Sequence, residues 1–254
     1  MHQLPIEQQI FLVFQDLALV VLCVRLWRAG LHKVYVYFFS YLLVELLEDL
    51  VPLVLPLESR AYRNAFVAFE MLFAFCYALI VLELYSVILR DLSGIASLSR
   101  RYVKVVLGIA ILVSFLPAAL EKSPDTVTGY LFIIERPLIS SLVVLVLLLA
   151  VFLVYYPVPL NRNVICYLAG YAVWFLAKAV AIFLNNLGYH LNELWGSFLM
   201  AVYAACLLFW IAALSRAGEA KTMVVGHRWN RAEETRLLSQ LEAINDSLLR
   251  AVRK

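Results

Sequence analysis

Long apolar runs broken by short polar stretches set the rhythm of this chain, and they predict helices that cross a bilayer. A helix needs about 20 mostly apolar residues to span the hydrocarbon layer. Seven stretches reach that length, at 8 to 27, 34 to 56, 64 to 89, 102 to 120, 137 to 157, 164 to 186 and 194 to 215. The fifth can begin earlier, because Thr128 to Ile134 is also apolar. A membrane barrel is the other spanning solution, and continuous Leu, Val and Phe runs lack the alternation it needs. The predicted fold is all-α: an integral membrane bundle of seven transmembrane helices over 1–215, followed by a cytoplasmic amphipathic helix.

That last helix is of another kind. Residues 216–229 read as a linker, with Gly218 and Gly226 as breakers. Over 230–254, Asn230 is an N-cap candidate, with Glu233 three residues on to complete a capping box. Leu238, Leu241, Asn245, Leu248 and Val252 then follow the three-and-four spacing of a coiled-coil seam, with Asn245 at an a-type position. The seam covers about two heptads, and Leu237, Ile244 and Leu249 widen it. It suits a homodimer, a partner protein, the protein's own cytoplasmic face or the inner leaflet.

Composition changes little in this picture and loop charge adds orientation. Apolar residues make up 64% of the chain and charged ones 15%, against roughly 45–50% and 25% in soluble domains, so the lipid bilayer is the first partner. Arg25, Arg28 and Lys33, then Arg90, Arg100, Arg101 and Lys104, then Arg162 and the basic tail all fall on one side. Arg60, Arg63, Lys122 and Arg136 fall on the other. By the positive-inside rule the N-terminus is outside and the C-terminus cytoplasmic. This is the pattern expected of a multi-pass protein of the plasma (inner) membrane. The net charge of +3 then reports topology, and no nucleic acid is expected as partner. The N-terminus lacks the basic start and cleavage site of a signal peptide, so the first helix is expected to be retained.

Candidate chemistry is confined to a few polar groups inside apolar runs. Cys23, Cys76, Cys166 and Cys206 all lie in predicted helices, as small apolar fillers do. His2, His32, His190 and His227 are scattered, so no metal or other cofactor is expected. No phosphate loop or nucleophile elbow is present, and an enzyme is not expected. What stands out is acid, because a carboxyl group at mid-membrane is costly and calls for a partner, a wet cavity or a function. Asp16 and Glu45 fall near mid-span of the first and second helices; Glu48, Asp49 and Glu70 fall toward the outer third.

Helical spacing gives these groups faces. Tyr37, Tyr41, Glu45, Glu48 and Asp49 share one stripe of the second helix, and Pro52, one turn on, frees the carbonyl of Glu48. Oxygens so arranged suit a small cation, a proton or a small-molecule ligand such as an ammonium; equally, Pro52 and Pro56 can end the helix and leave Glu48 and Asp49 in the headgroup layer. Glu70 and Glu83 lie about 140° apart around the third helix, so Glu70 joins the acids with Tyr77, and Glu83 groups with Arg90 in a structural pair. Lys178, close to the middle of the sixth helix, is the expected counter-ion of Asp16 or Glu45. On the seventh helix, Ser197, Ala201 and Ala205 form a small-residue stripe expected to pack against a neighbour.

The expected ligand- or ion-binding set is therefore Asp16, Tyr41, Glu45, Glu48, Asp49, Glu70, Tyr77 and Lys178. Three functions fit it: a receptor-like or sensory module signalling through the tail helix, a proton- or cation-coupled transporter or channel, and a structural subunit of a membrane complex. Helix two alone has prolines placed to break it deeply and no internal repeat is evident, which disfavours transport. The receptor-like reading leads.

Overall fold

The computed structural model describes residues 6–56, 59–90, 92, 94–96, 99, 101–109, 127–186, 192–224 and 231–252, and these are nearly all helical. α1 (Ile6–Ala29) stops at Gly30, whose φ of 73° turns its N–H back onto the Trp27 carbonyl at 3.0 Å. Glycine takes this left-handed helix stop without the strain a Cβ would bring. A 3-10 turn (Leu31–Lys33) leads into α2 (Val36–Val54), which continues through Pro52 and ends at Leu55. α3 (Arg60–Ile88) opens on Ser59, whose hydroxyl oxygen accepts from the Tyr62 N–H at 3.0 Å.

The second half differs more from expectation. α4 is seen over 101–109, and the rest of the fourth predicted stretch lies outside the described residues. α5 (Val127–Tyr155) starts well before the predicted boundary and passes through Pro137, one turn ahead of a Ser141 hydroxyl that donates to the Pro137 carbonyl at 2.7 Å. A strand β1 (Pro159–Asn161) follows, then α6 (Arg162–Asn186), α7 (Asn192–Ala213), a short α8 (Arg216–Ala220), a strand β2 (Thr222–Val224) and the tail helix α9 (Arg231–Val252).

Six helices close a ring in the order α1, α2, α3, α5, α6, α7 and back to α1, with α3 also touching α6 across the interior. Among the described residues, four helical stretches are long and apolar enough to cross a membrane: Arg60–Ile88, Pro137–Tyr155, Arg162–Leu184 and Gly196–Ala213. The outside of the bundle bears this out. Val151 on α5 is 65% exposed and Phe183 on α6 is 61% exposed, and Leu17, Leu47, Phe75 and Leu208 also face outward. A soluble protein rarely presents so continuous an apolar exterior, and for a chain whose solvent is lipid it carries no cost.

The end of the bundle that bears α9 is pinned by polar contacts. β1 and β2 pair antiparallel, Leu160 opposite Met223. Glu219 on α8 accepts from the Tyr35 hydroxyl at 2.6 Å, from Asn161 Nδ2 at 3.0 Å and from Asn163 Nδ2 at 2.9 Å. Asn163, fully buried, also donates to the Ser215 carbonyl at 2.8 Å and accepts from the Ser215 N–H at 3.2 Å. Arg25 Nε donates to the Leu214 carbonyl at 3.2 Å, a cation at the carbonyl-rich end of α7. Residues 216–224, expected as part of a linker, are thus folded onto the bundle. Gly218 permits this: a Cβ there would overlap the Asn163 side chain.

α9 also docks on its own chain. Leu241 is 3% exposed and belongs to the main core, against which Leu92, Ile95 and Ala96 pack. The Asn245 Oδ1 accepts from the Gly94 N–H at 2.8 Å and the Ile95 N–H at 3.3 Å, capping the helical segment 94–96 that follows α3. A Cβ on Gly94 would overlap the main-chain oxygen of Asn245. Leu238 and Leu248 are half-buried, and the Val252 side chain lies outside those described. The heptad seam is thus occupied at Leu241 and Asn245, and a coil through those residues would have to displace these contacts.

Candidate functional site

The residues singled out in the sequence divide between two open cavities among the helices of the ring. The central cavity, about 200 Å³, is lined by Tyr41 and Glu45 from α2, Glu70 and Tyr77 from α3, and Lys178 from α6. The distal cavity, about 490 Å³, lies farther from the tail, where Asp16 of α1 meets Glu48, Asp49 and Pro52 of α2, with Tyr62 and Phe69 from α3. The stripe on α2 is therefore shared, one turn of helix turning from one chamber to the next. Asp16, paired in the sequence with Lys178 as an alternative to Glu45, lies in the other cavity.

Hydroxyl and aromatic groups frame the central cavity. The Tyr203 hydroxyl of α7 donates to Glu45 Oε2. The Tyr41 and Tyr77 hydroxyls lie 3.4 Å apart, and the Trp174 indole N–H donates to the Tyr77 hydroxyl at 3.3 Å. The Lys178 ammonium lies 5.2 Å from the centre of the Tyr77 ring and 5.9 Å from that of Trp174. Both distances are within cation–π range. Gln15 of α1 completes the wall, its Nε2 donating to the Met200 carbonyl at 2.7 Å.

Sequence reasoning missed Gln15, Phe73, Trp174, Leu199, Met200 and Tyr203 here. Tyr203 carried a signal: a tyrosine deep in an apolar span needs a partner for its hydroxyl. Tyr37, placed on the same stripe of the second helix as Tyr41 and Glu45, is instead exposed on the bundle surface.

Below the cavity, toward the tail, an aromatic layer fills the ring. Phe38, Tyr167, Tyr171, Phe175 and Trp210 are all fully buried, and their ring centres lie about 5 to 6 Å apart where they touch. α6 and α7 meet closely here, because Gly170 leaves space for the Trp210 indole and its carbonyl accepts from the Cys206 thiol at 3.7 Å. Ser197, Ala201 and Ala205 do not make this contact; all three are exposed, and the packing face of α7 is Tyr203, Cys206, Leu207 and Trp210.

Glu83 lies beyond that layer and has different partners from those expected. It accepts from the Tyr37 N–H at 2.9 Å, the Phe38 N–H at 3.3 Å and the Tyr167 hydroxyl at 2.9 Å. The carboxylate of α3 thus caps the N-terminus of α2, whose first N–H groups have no partner within their own helix. Arg90 is exposed. The role is structural, as expected, with main-chain donors in place of the arginine.

Among the described residues no three His, Cys, Asp or Glu side chains converge to hold a metal ion. In comparisons with protein-family models, curated proteins and solved structures, nothing matches the chain. The site's own residues supply two carboxylates, one ammonium, three phenols and an indole around a small space, beside a second cavity rich in acids.

Proposed function

We propose that this chain is a receptor-like sensory module of the plasma membrane, in which the state of the central cavity is passed to the tail helix. The observation that carries this reading is that one continuous helix serves both ends. α3 lines the cavity with Glu70, Phe73 and Tyr77, and it finishes shortly before the helical segment 94–96, whose first N–H groups Asn245 of α9 caps. A helix is stiff along its axis, so a small shift at Glu70 or Tyr77 reaches that turn.

In this reading the chain spans the bilayer seven times, with the N-terminus outside and α9 in the cytoplasm. α1 and α2 exceed the usual charge of a spanning helix because of groups such as Asp16, Glu45, Glu48 and Asp49. Those groups line cavities. The outward faces, with Leu17 and Val20 on α1 and Leu43 and Leu47 on α2, are apolar. The positive loops place the distal cavity toward the outside.

Hydrogen exchange on the full chain in nanodiscs tests the coupling. Gly94→Ala, which sets a methyl group onto Asn245, should release α9 and raise its exchange roughly tenfold or more. Glu45→Gln and Tyr77→Phe, far from the tail, should each shift exchange over residues 235–248 in the same experiment. If Gly94→Ala responds and both cavity variants match the wild type, the sensory reading is wrong. Proton flux into proteoliposomes that Glu45→Gln abolishes would put a transporter in its place.

A further inference from the structure

We propose that the central cavity takes a small organic monocation, an ammonium compound, whose positive centre sits where the Lys178 side chain now lies; this rests on the sensory reading of the same site. Charge is the first argument. Glu45 and Glu70 line the cavity with one lysine, and the neighbouring cavity adds Asp16, Glu48 and Asp49. Acids lining a cleft with low-dielectric walls concentrate cations at its mouth and repel anions. An anion in the central cavity would meet two carboxylates and a single ammonium, with three more carboxylates in the neighbouring cavity.

The walls narrow the choice among cations. A bare metal ion prefers a shell of oxygen ligands, and here the carboxylates stand beside the faces of Phe73, Tyr77, Trp174 and Tyr203. Aromatic faces attract ammonium groups, above all weakly hydrated ones carrying alkyl substituents. The structure contains an instance of the contact, since the Lys178 ammonium already lies over the Tyr77 and Trp174 rings. Lys178 is then a tethered competitor. A ligand's ammonium replaces it on the rings while the lysine swings toward the distal acids.

Size sets the upper bound. Sites for drug-sized ligands run to roughly 300–1,000 Å³, and this one measures about 200 Å³. It accommodates a compact group such as tetramethylammonium.

Calorimetric titration of the full chain in nanodiscs with tetramethylammonium chloride, and separately with glycine and sodium acetate, tests the proposal. Tetramethylammonium should bind the wild type. Its affinity should fall roughly tenfold in Glu45→Gln and roughly threefold to tenfold in Trp174→Leu, with Trp174→Phe close to wild type because it keeps a ring face. Lys178→Met should bind tighter, since the competitor is gone. Two results would overturn the assignment: glycine or acetate binding that Lys178→Met abolishes, which makes the lysine a ligand group, or no tetramethylammonium binding by a Lys178→Met protein with wild-type tryptophan emission. Should Lys178→Met fail to fold, the Trp174 pair decides, and equal affinities in Phe and Leu refute an aromatic cation site. Binding of tetramethylammonium with no change in α9 exchange refutes the sensory reading and leaves the ammonium site standing.

Discussion

Glu83→Ala should be among the most destabilising single changes in the bundle, and its cost can be worked from the contacts. The side chain is 6% exposed and satisfies three donors: the N–H groups of Tyr37 and Phe38 and the hydroxyl of Tyr167. Phe38 and Tyr167 are fully buried, so at least two of these donors would lose their only carboxylate acceptor where water is scarce. An orphaned buried donor costs about 1–3 kcal/mol, and hydrogen bonds to a charged group lie at the upper end. The expected loss is therefore about 3–6 kcal/mol, including the loss of the cap on α2. Glu83→Gln keeps one acceptor oxygen and the shape of the side chain, so about 1–2 kcal/mol is expected. Denaturant titration in mixed micelles, followed by tryptophan emission, reads both. Arg90→Ala is the contrast, because an exposed ion pair would contribute no more than about 1 kcal/mol. If Arg90→Ala proves as costly as Glu83→Ala, or if the alanine at position 83 costs under about 1 kcal/mol, the trans-cap argument fails.

Other outcomes follow from single contacts. Gly170→Ala would press a methyl group into the Trp210 indole and should cost about 1–3 kcal/mol as overpacking, whereas Gly108→Ala, in a helix with open space around it, should raise the unfolding midpoint, by up to about 1 kcal/mol of stability. Glu219→Ala leaves the Tyr35 hydroxyl and the amides of Asn161 and Asn163 short of an acceptor; limited proteolysis should then cut between α8 and α9, with the cavity variants as uncut controls. A maleimide placed at Leu241→Cys should label slowly and give no disulfide dimer, since that position is buried, and one at Ile244→Cys, which is 42% exposed, should label fast. Rapid dimer formation through position 241 would instead support the open coiled coil.

The apolar runs were legible because about 20 consecutive apolar residues have few other uses, and α2, α3, α6 and α7 lie within a few residues of their predicted bounds. The separation of Glu45 from Glu48 and Asp49 was legible too, since depth and facing along one helix are fixed by its pitch. What sits opposite a residue was not. Glu83 pointed to Arg90 because arginine is visible in a sequence, whereas its true partners are main-chain N–H groups of Tyr37 and Phe38, which any residue would supply. Ser197, Ala201 and Ala205 showed a smooth face without showing that it is exposed, and the close approach of α6 and α7 is made at Gly170. Asn245 fitted a seam between two chains; the heptad pattern is equally satisfied by the helical segment 94–96 of the same chain, and only the placement of Gly94 distinguishes them.

The aromatic layer beneath the cavity bears on the choice between sensing and transport. A carrier or channel of this size needs polar groups in relay from end to end, or a broken helix whose carbonyls line a path. Here polar groups come in three separate tiers: the two cavities, then Glu83 with Tyr167, then the Glu219 cluster at the tail end. Between the first tier and the second stand Phe38, Tyr171, Phe175 and Trp210, each fully buried and in ring contact with its neighbours. An ion forced across such a layer would leave its carboxylate partners behind for ring faces whose polar atoms include only the Tyr171 hydroxyl and the Trp210 indole N–H, a step that costs on the order of several kcal/mol. The same layer suits a sensor. Interlocked rings transmit displacement well because close-packed interiors barely compress, so an ammonium that moves Tyr77 pushes Phe175 and Tyr171 in turn. A wall that is opaque to ions and stiff to movement separates ligand from response, and that is the division a receptor requires.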